Sequence, residues 1–201
     1  MPPKRRRAVV DRKTKETQVH VELDLDGQGE AKVSTGVGML DHLLSQIGKH
    51  GIIDITIKAS GDLQTDEHHT VEDVGLALGR ALDEALGKRE GIVRMADTTV
   101  PLDEALATVA VDLSGRGYSV VDVAWTGERI GELPSDIISH LLWSFAAEAK
   151  LTLNARVLAG VNDHHKAEAL FKALGRALGA ASRLEPRLTG KAPSTKGTLK
   201  A

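Results

Sequence analysis

The chain has 201 residues, of which 41% are hydrophobic and only 2% aromatic, so its core must consist mainly of aliphatic side chains. Its 26 basic and 28 acidic residues leave a formal net charge of −2, which gives no overall attraction to nucleic acid or anionic membranes. The absence of cysteine excludes disulfides, zinc–thiolate sites and iron–sulfur clusters, so any metal must be bound by His, Asp and Glu. No stretch approaches the roughly 18 apolar residues of a membrane span, and the basic start lacks the apolar segment of a secretory signal. We therefore expect a soluble protein of the cytoplasm.

Alternating apolar residues predict strands, and apolar residues three and four apart predict helices. In the first half these patterns predict strands over 19–26, 30–35 and 53–57 and helices over 39–48 and 70–86. In the second half they predict strands over 109–113 and 151–155 and helices over 134–149 and 166–181. We expect the first two strands to pair antiparallel across Gly27 and Gly29. The pattern favours an α+β fold of two halves, each a sheet with helices on one face.

The chain contains an internal duplication. The stretch from Asp66 to Gly87 recurs 96 residues later, and ten of the twenty-two aligned residues are identical. Two shorter similarities occur in the same order: Asp41-His42-Leu43-Leu44 with Ser139-His140-Leu141-Leu142, and Asp24-Leu25-Asp26-Gly27 with Asp112-Leu113-Ser114-Gly115. Glu16 and Glu104 each stand eight residues before the first aspartate of the last pair. Three matches in the same order predict two copies of one unit.

The boundary between the two copies is expected near residues 87–91. This gives a first half over residues 1–90 and a second half over residues 91–185. From Pro186 the sequence is rich in Pro, Gly, Ser, Thr and Lys, which predicts an irregular tail over residues 186–201.

Histidines dominate the repeated motifs, which hold six of the eight in the chain together with two glutamates: His42, His68, His69, His140, His164, His165, Glu72 and Glu168. Their recurrence in register favours metal ligation over a structural role, whereas His20, outside the motifs, is expected to be structural. Imidazole and carboxylate ligands without sulfur suit manganese or iron.

The two histidines of each pair cannot easily bind the same ion, because adjacent residues near a helix start point about 100° apart. His68 and His69 can each share a helix face with Glu72, at spacings of four and three residues. We therefore expect each pair to divide between two metals, so that each metal receives three histidines and one glutamate. A helix that serves two metals needs ligands on both sides. We predict that more than one subunit contributes them.

Over almost its whole length the chain resembles the imidazoleglycerol-phosphate dehydratase family of histidine biosynthesis. The motifs that carry the resemblance are Arg12-Lys13-Thr14-Lys15-Glu16-Thr17, Leu40-Asp41-His42, His50-Gly51, Gly61-Asp62, His68-His69-Thr70-Val71-Glu72-Asp73-Val74-Gly75, Val111-Asp112-Leu113-Ser114-Gly115-Arg116, residues 162–172 and Pro193-Ser194-Thr195-Lys196-Gly197. The chain departs from the family at Met95-Ala96, where an aromatic-Gly pair is usual, and at Gly117, where proline is common.

The resemblance implies a duplicated two-layer α/β sandwich whose halves are similar to domain 2 of ribosomal protein S5. It implies an enzyme that dehydrates D-erythro-imidazoleglycerol phosphate to imidazole acetol phosphate, with two Mn²⁺ ions per active site that bind the substrate imidazole. The implied assembly is a homo-oligomer, a shell of 24 subunits with its sites at subunit interfaces. The partner is a small phosphorylated substrate, with no nucleic acid and no membrane.

The resemblance also assigns roles to individual residues. The metal ligands that it implies are the eight residues of the repeated motifs, all of which except His140 are also expected to contact the substrate. Further expected substrate contacts are Glu16, His50, Arg94, Arg116, Lys172, Ser194, Thr195 and Lys196. Among these, Arg94, Arg116 and Lys196 are expected to meet the phosphate. Glu16, Glu72 and Glu168 are candidates for the catalytic acid or base, and the sequence does not choose among them.

Two other functions fit the motifs. One is a different metal-dependent enzyme, such as a hydrolase that uses open metal positions for water. The other is a metal-storage or structural shell, in which the His/Glu sites only join subunits. The arginine cluster and the tail argue against the shell, because a structural joint needs no pocket for an anion.

Overall fold

Two four-stranded sheets form the framework of the computed structural model, which describes residues 5–188, 190–197 and Leu199. The first sheet contains β1 (Arg7–Lys13), β2 (Thr17–Asp24), β3 (Ala31–Ser34) and β4 (Asp54–Gly61), with helices α1 (Gly38–Gly51) and α2 (His68–Leu86). The second contains β5 (Met95–Leu102), β6 (Ala105–Asp112), β7 (Tyr118–Asp122) and β10 (Thr152–Ala159), with helices α3 (Ser135–Glu148) and α4 (Asp163–Ser182). A ribbon of β8 (Arg129–Ile130) and β9 (Leu133–Pro134) precedes α3, and a short 3₁₀ helix spans Pro186–Leu188.

The two sheets have the same topology, which confirms the duplication. Their strand orders are β1-β2-β4-β3 and β5-β6-β10-β7. In both, the first three strands pair antiparallel and the fourth pairs parallel with its neighbour. The ribbon β8–β9 has no counterpart among the described residues of the first half. It explains why the second copy is longer between β6 and α3.

The helices lie on one face of each sheet, as predicted. β2 alternates between buried and exposed residues, with Val19, Val21 and Leu23 turned to the core. Helices α1 and α2 pack on the first sheet, and α3 and α4 pack on the second. The two helical layers then meet, α1 against α4 and α2 against α3. Within the part of the chain that the structure describes, none of these helices has the length and apolar character that a membrane span requires.

The predicted pairing of residues 30–35 with residues 19–26 was wrong. The strand exists, as β3, but it pairs in parallel with β4. The two strands that pair with β2 are β1 and β4. Between β2 and β3 the chain crosses the end of β4, where Asp54 Oδ1 accepts hydrogen bonds from the backbone N–H groups of Gln28 (2.8 Å) and Glu30 (2.9 Å). These bonds hold the crossing on the far side of β4. The sequence pattern had not predicted β1, which pairs with the edge of β2 where we expected β3.

The ribbon β8–β9 connects the second half to both helices of the first. Glu132, between its strands, accepts a hydrogen bond from the backbone N–H of Met39 in the first turn of α1, at 2.7 Å. Arg129 Nη2 lies 2.7 Å from Oε1 of Glu67, the residue before α2. The ribbon therefore fixes the starts of α1 and α2 relative to α3.

Two repeated glycines allow these helices to approach backbone to backbone. A Cβ added to Gly175 of α4 would lie 2.7 Å from the carbonyl oxygen of Ile47 and 2.9 Å from that of Gln46 in α1, closer than real Cβ atoms come. Gly79, its counterpart in α2, faces the carbonyl oxygen of Phe145 in α3 in the same way. The repeated Leu-Gly-Arg motif therefore serves close helix packing.

We expect Gly175→Ala to lower the melting temperature of the protein. The added methyl group meets backbone atoms that cannot rotate away, and such overpacking costs about 1–3 kcal/mol. That cost exceeds the roughly 0.5–1 kcal/mol by which Ala is favoured over Gly inside a helix. Differential scanning calorimetry measures the change.

Gly127→Ala is the matched control, because a Cβ there would meet its nearest neighbours at 3.6 Å. Equal melting temperatures for the two variants would contradict the role given to Gly175.

Candidate metal centre

Helices α1 and α4 together build a first cluster of possible metal ligands, His42, His164 and Glu168. Glu168 Oε2 lies 3.0 Å from His42 Nε2 and 3.2 Å from His164 Nε2. His164 and Glu168 are four residues apart and therefore share a face of α4, while His42 reaches them from α1 across the helix contact. The possible ligand atoms all lie within 4.8 Å of one another.

Glu168 remains ionised in this cluster. Burial favours a higher pKa, but the hydrogen bonds from Lys172 and His42 outweigh it and lower the pKa of Glu168 to about 2. Lys172 Nζ contacts Oε1 of Glu168 at 2.7 Å, which leaves Oε2 facing the two histidines. A carboxylate held in its charged form is suited to bind a cation.

Helices α2 and α3 build a second, more open cluster from His68, Glu72 and His140. The Glu72 carboxylate oxygens lie 3.8 Å from His68 Nε2 and 3.5 Å from His140 Nε2. The rings of His68 and His140 are 4.9 Å apart. This cluster is the counterpart of the first, with α2 and α3 in place of α4 and α1.

The second cluster fits a divalent cation. His140 Nε2 is buried and makes no hydrogen bond within the described part of the chain, although it points toward Glu72. A buried ring nitrogen without a hydrogen bond is costly unless another ligand satisfies it. Imidazole nitrogens and one carboxylate are the donors that manganese, iron and zinc accept.

The second histidine of each pair, His69 or His165, points away from these clusters, and we call these two residues the outward histidines. The rings of His68 and His69 stand at 85° to each other, and so do those of His164 and His165. His165 Nδ1 lies 2.7 Å from Oε2 of Glu104. His69 Nδ1 lies 3.1 Å from Asp62 and 3.8 Å from Glu16.

These carboxylates change the protonation of the outward histidines. The hydrogen bond with Asp62 raises the pKa of His69, and the hydrogen bond with Glu104 raises the pKa of His165. In turn, the hydrogen bond from His165 is the main reason why the pKa of Glu104 is lowered to about 2. In both outward histidines, Nδ1 is the ring nitrogen that is hydrogen-bonded to a carboxylate.

One chain thus brings six of the eight predicted ligands into two clusters, each with two histidines and one glutamate. His69 and His165 lie outside both clusters. The two histidines of each pair point in different directions, and their division between two metals stays a prediction. The predicted count of three histidines per site exceeds what one chain assembles.

The predicted phosphate contacts lie elsewhere on the second half. Arg94 donates two hydrogen bonds to Asp112, at 2.7 and 2.9 Å, and a third at 2.6 Å to the carbonyl oxygen of Pro193. It thereby anchors the turn that follows, in which Gly197 N–H donates to the Ser194 carbonyl at 3.0 Å. In that turn Ser194 is partly buried and Thr195 and Lys196 are exposed, and Arg116 is exposed after β6.

His50 lies in the last turn of α1, close to two cations of α4. Burial first and then the positive charges of Lys172 and Arg176 lower the pKa of His50. His50 and Arg176 also line a cleft of about 830 Å³. Lys172 and Arg176 therefore place positive charge beside His50.

Sequence reasoning missed residues that fix the histidine-bearing helix starts. The Asn162 side chain accepts hydrogen bonds from the backbone N–H groups of His164 and His165, and Asp66 accepts one from that of His68 at 2.8 Å. Both are favoured N-cap residue types, so their position before a helix was the available signal. Asp62 gave none, because it reaches His69 from a loop.

Comparisons with known proteins agree with the fold. A family model described as imidazoleglycerol-phosphate dehydratase matches residues 35–178. The protein of that name from Dehalococcoides mccartyi is 57% identical over 195 residues, which cover 97% of this chain and 98% of the relative. That from Methanothermobacter thermautotrophicus is 52% identical over 194 residues, which cover 96% and 98%.

Two solved structures are also similar. The crystal structure of imidazoleglycerol-phosphate dehydratase from Staphylococcus aureus superposes with a TM-score of 0.81 at 32% identity, covering 89% of this chain and 99% of that one. The enzyme from Pyrococcus furiosus, in complex with (S)-C348, gives a TM-score of 0.76 at 32% identity, covering 94% and 99%. Sequence and structure agree over nearly the whole length. The chain belongs to the imidazoleglycerol-phosphate dehydratase family.

Proposed function

We propose that the chain dehydrates D-erythro-imidazoleglycerol phosphate to imidazole acetol phosphate in histidine biosynthesis, with two manganese ions per active site. Membership of the family supports the reaction. The observation that carries the two-metal part is the occurrence of two equivalent His–Glu clusters, one on α1 and α4 and one on α2 and α3. When bound, the ions would supply positive charge that makes the substrate imidazole easier to deprotonate.

The outward histidines support an assembly in which subunits share sites. Each cluster lacks one histidine of the predicted set, and each chain presents two that its own clusters do not use, His69 and His165. A copy that donates these two and receives two in return completes every site. This exchange supports sites at subunit interfaces, in an assembly that we propose to be a shell of 24 subunits.

Basic residues support an anionic substrate. Lys172 and Arg176 concentrate positive charge beside His50, next to the His42 cluster. Arg94 anchors the turn that carries Lys196, which would contact the phosphate together with Arg116. In this arrangement Arg94 contributes by holding the turn as well as by its remaining N–H groups.

Among the three candidate acids and bases, the geometry favours Glu16. Its carboxylate is more than half exposed and accepts no hydrogen bond from any described residue, and it lies 3.8 Å from His69 Nδ1. Glu168 is held by Lys172 and two histidines, which suits a ligand. Glu72 lies between two histidines in the second cluster.

A manganese-loaded preparation should release water from imidazoleglycerol phosphate, and removal of the metal with a chelator should abolish turnover. The reason is that the substrate's carbon–hydrogen bond has no neighbouring carbonyl to acidify it. Ketone formation, followed by a coupled assay, measures the reaction. Turnover of simple phosphate esters instead would indicate the hydrolase, and metal binding without either activity would indicate the structural shell.

We expect His69→Ala to reduce turnover by at least roughly 10- to 100-fold. That is the loss usually seen when a residue that hydrogen-bonds to a metal ligand is removed, and His69 is proposed to be a ligand itself. It should also shift the sedimentation coefficient in manganese toward smaller species, because the histidine completes a site in another subunit. His20→Ala is the control, since His20 pairs with Asp11 and Glu22 outside both clusters. Equal effects of the two substitutions would refute the shared site.

Glu16→Gln should lower kcat by about 10²- to 10⁴-fold, the usual contribution of a general acid or base. Manganese content and sedimentation should stay unchanged, because the Glu16 carboxylate belongs to neither cluster. Glu90→Gln, at an exposed glutamate between the halves, controls for the loss of one charge. A parallel loss of bound manganese in Glu16→Gln would assign Glu16 to the metal site instead.

A further inference from the structure

The two halves hold their outward histidines with different carboxylates. Glu16 and Glu104 occupy equivalent positions, each directly before the second strand of its sheet. Yet Glu104 lies 2.7 Å from His165, whereas Glu16 lies 3.8 Å from His69. In the first half Asp62 takes the closer place, at 3.1 Å.

Glu104 is itself fixed from two sides. One oxygen, Oε1, accepts backbone hydrogen bonds from Val161 at 3.2 Å and Asn162 at 2.8 Å, just before α4. The other, Oε2, contacts His165 Nδ1. The carboxylate therefore ties the β5–β6 turn to the start of α4 and holds the imidazole in one orientation.

Loop composition explains why the first half differs. Asp62 directly follows β4, and the residue that directly follows β10 is Gly160. The second half thus has no acid at this point, and Glu104 makes the close contact with Nδ1 of His165, while Asp103 lies 3.9 Å from Nε2 of that histidine. In the first half Asp62, in the loop after β4, contacts the histidine in place of Glu16.

A carboxylate at Nδ1 determines what the other ring nitrogen can do. An imidazole that donates its Nδ1 proton carries its lone pair on Nε2, which is the form that binds a metal. In both halves this places the accepting nitrogen on the side of the ring away from the carboxylate. His69 and His165 are the two histidines that their own chain leaves outside its clusters.

We propose that Glu104 and Asp62 are positioning residues, which fix His165 and His69 with Nε2 directed outward for a metal held by another subunit. This rests on the proposed function, since it assumes that those two histidines are ligands. A consequence of the divergence between the halves is that Glu16, free of the orienting task, is available for proton transfer, whereas Glu104 is not.

The test compares Glu104→Ala, Asp62→Ala and Glu16→Ala by titration with Mn²⁺, following free Mn²⁺ by electron paramagnetic resonance. We expect Glu104→Ala and Asp62→Ala to weaken Mn²⁺ binding by about 10- to 100-fold and to require more Mn²⁺ for assembly in sedimentation velocity. Glu16→Ala should bind Mn²⁺ like the unaltered protein while losing turnover. Glu90→Ala is the control.

A merely structural role would have different consequences. Glu104→Gln keeps an oxygen that can accept the Nδ1 proton, so it should recover much of the affinity that Glu104→Ala loses. If Glu104→Ala and Asp62→Ala, folded by circular dichroism, bind Mn²⁺ like the control, the positioning role is overturned while the proposed function stands. If Glu104→Ala does not fold, Glu104→Gln and Asp62→Ala decide by the same criterion. If the unaltered protein binds no Mn²⁺, both proposals fall.

Discussion

The structure depends on the close contact of helices from opposite halves. Helix α1 packs against α4 and α2 against α3, and Gly175 and Gly79 remove the side chains that would hold these pairs apart. Each His–Glu cluster lies on one of these contacts, with two ligands from one helix and one from the other. Because interiors are packed tightly, a small change in helix spacing would be transmitted to the distances between ligands. Helix packing and the geometry of the two clusters are therefore coupled in this fold.

Duplication gives the protein two clusters of the same kind, and neither half can form one alone. In each half, the histidine of the other helix (His42 or His140) faces the His-x-x-x-Glu helix of the opposite half. The two copies have since diverged in the residues around the clusters. The first cluster is compact and includes Lys172, whereas the second is more open and leaves a buried nitrogen of His140 without a hydrogen bond. Equivalent folds therefore provide two sites with different electrostatic surroundings.

Much of this architecture could be predicted from the sequence, because the repeat aligns two copies and exposes the histidines in register. The helices and the one-sided sheets followed from periodicity. The position of β3 did not, since parallel pairing beside β4 depends on the loop bonds of Asp54 and on β1 filling the edge of β2. The different directions of the two histidines in each pair followed from helix geometry, but the acids that contact His69 and His165 did not, because Asp62 reaches His69 through a loop. The manganese, the cytoplasmic location, the division at residue 90 and the 24-subunit shell remain predictions.

The ribbon β8–β9 affects which helical faces can pair with each other. Two copies of one unit present similar helical faces, so two like halves could in principle associate with each other. Glu132 and Arg129 reach across from the ribbon to the starts of α1 and α2, and they belong to a segment that lacks a duplicate among the described residues of the first half. These contacts can form only between a first half and a second half. The asymmetric insertion therefore favours that pairing over the association of two like halves.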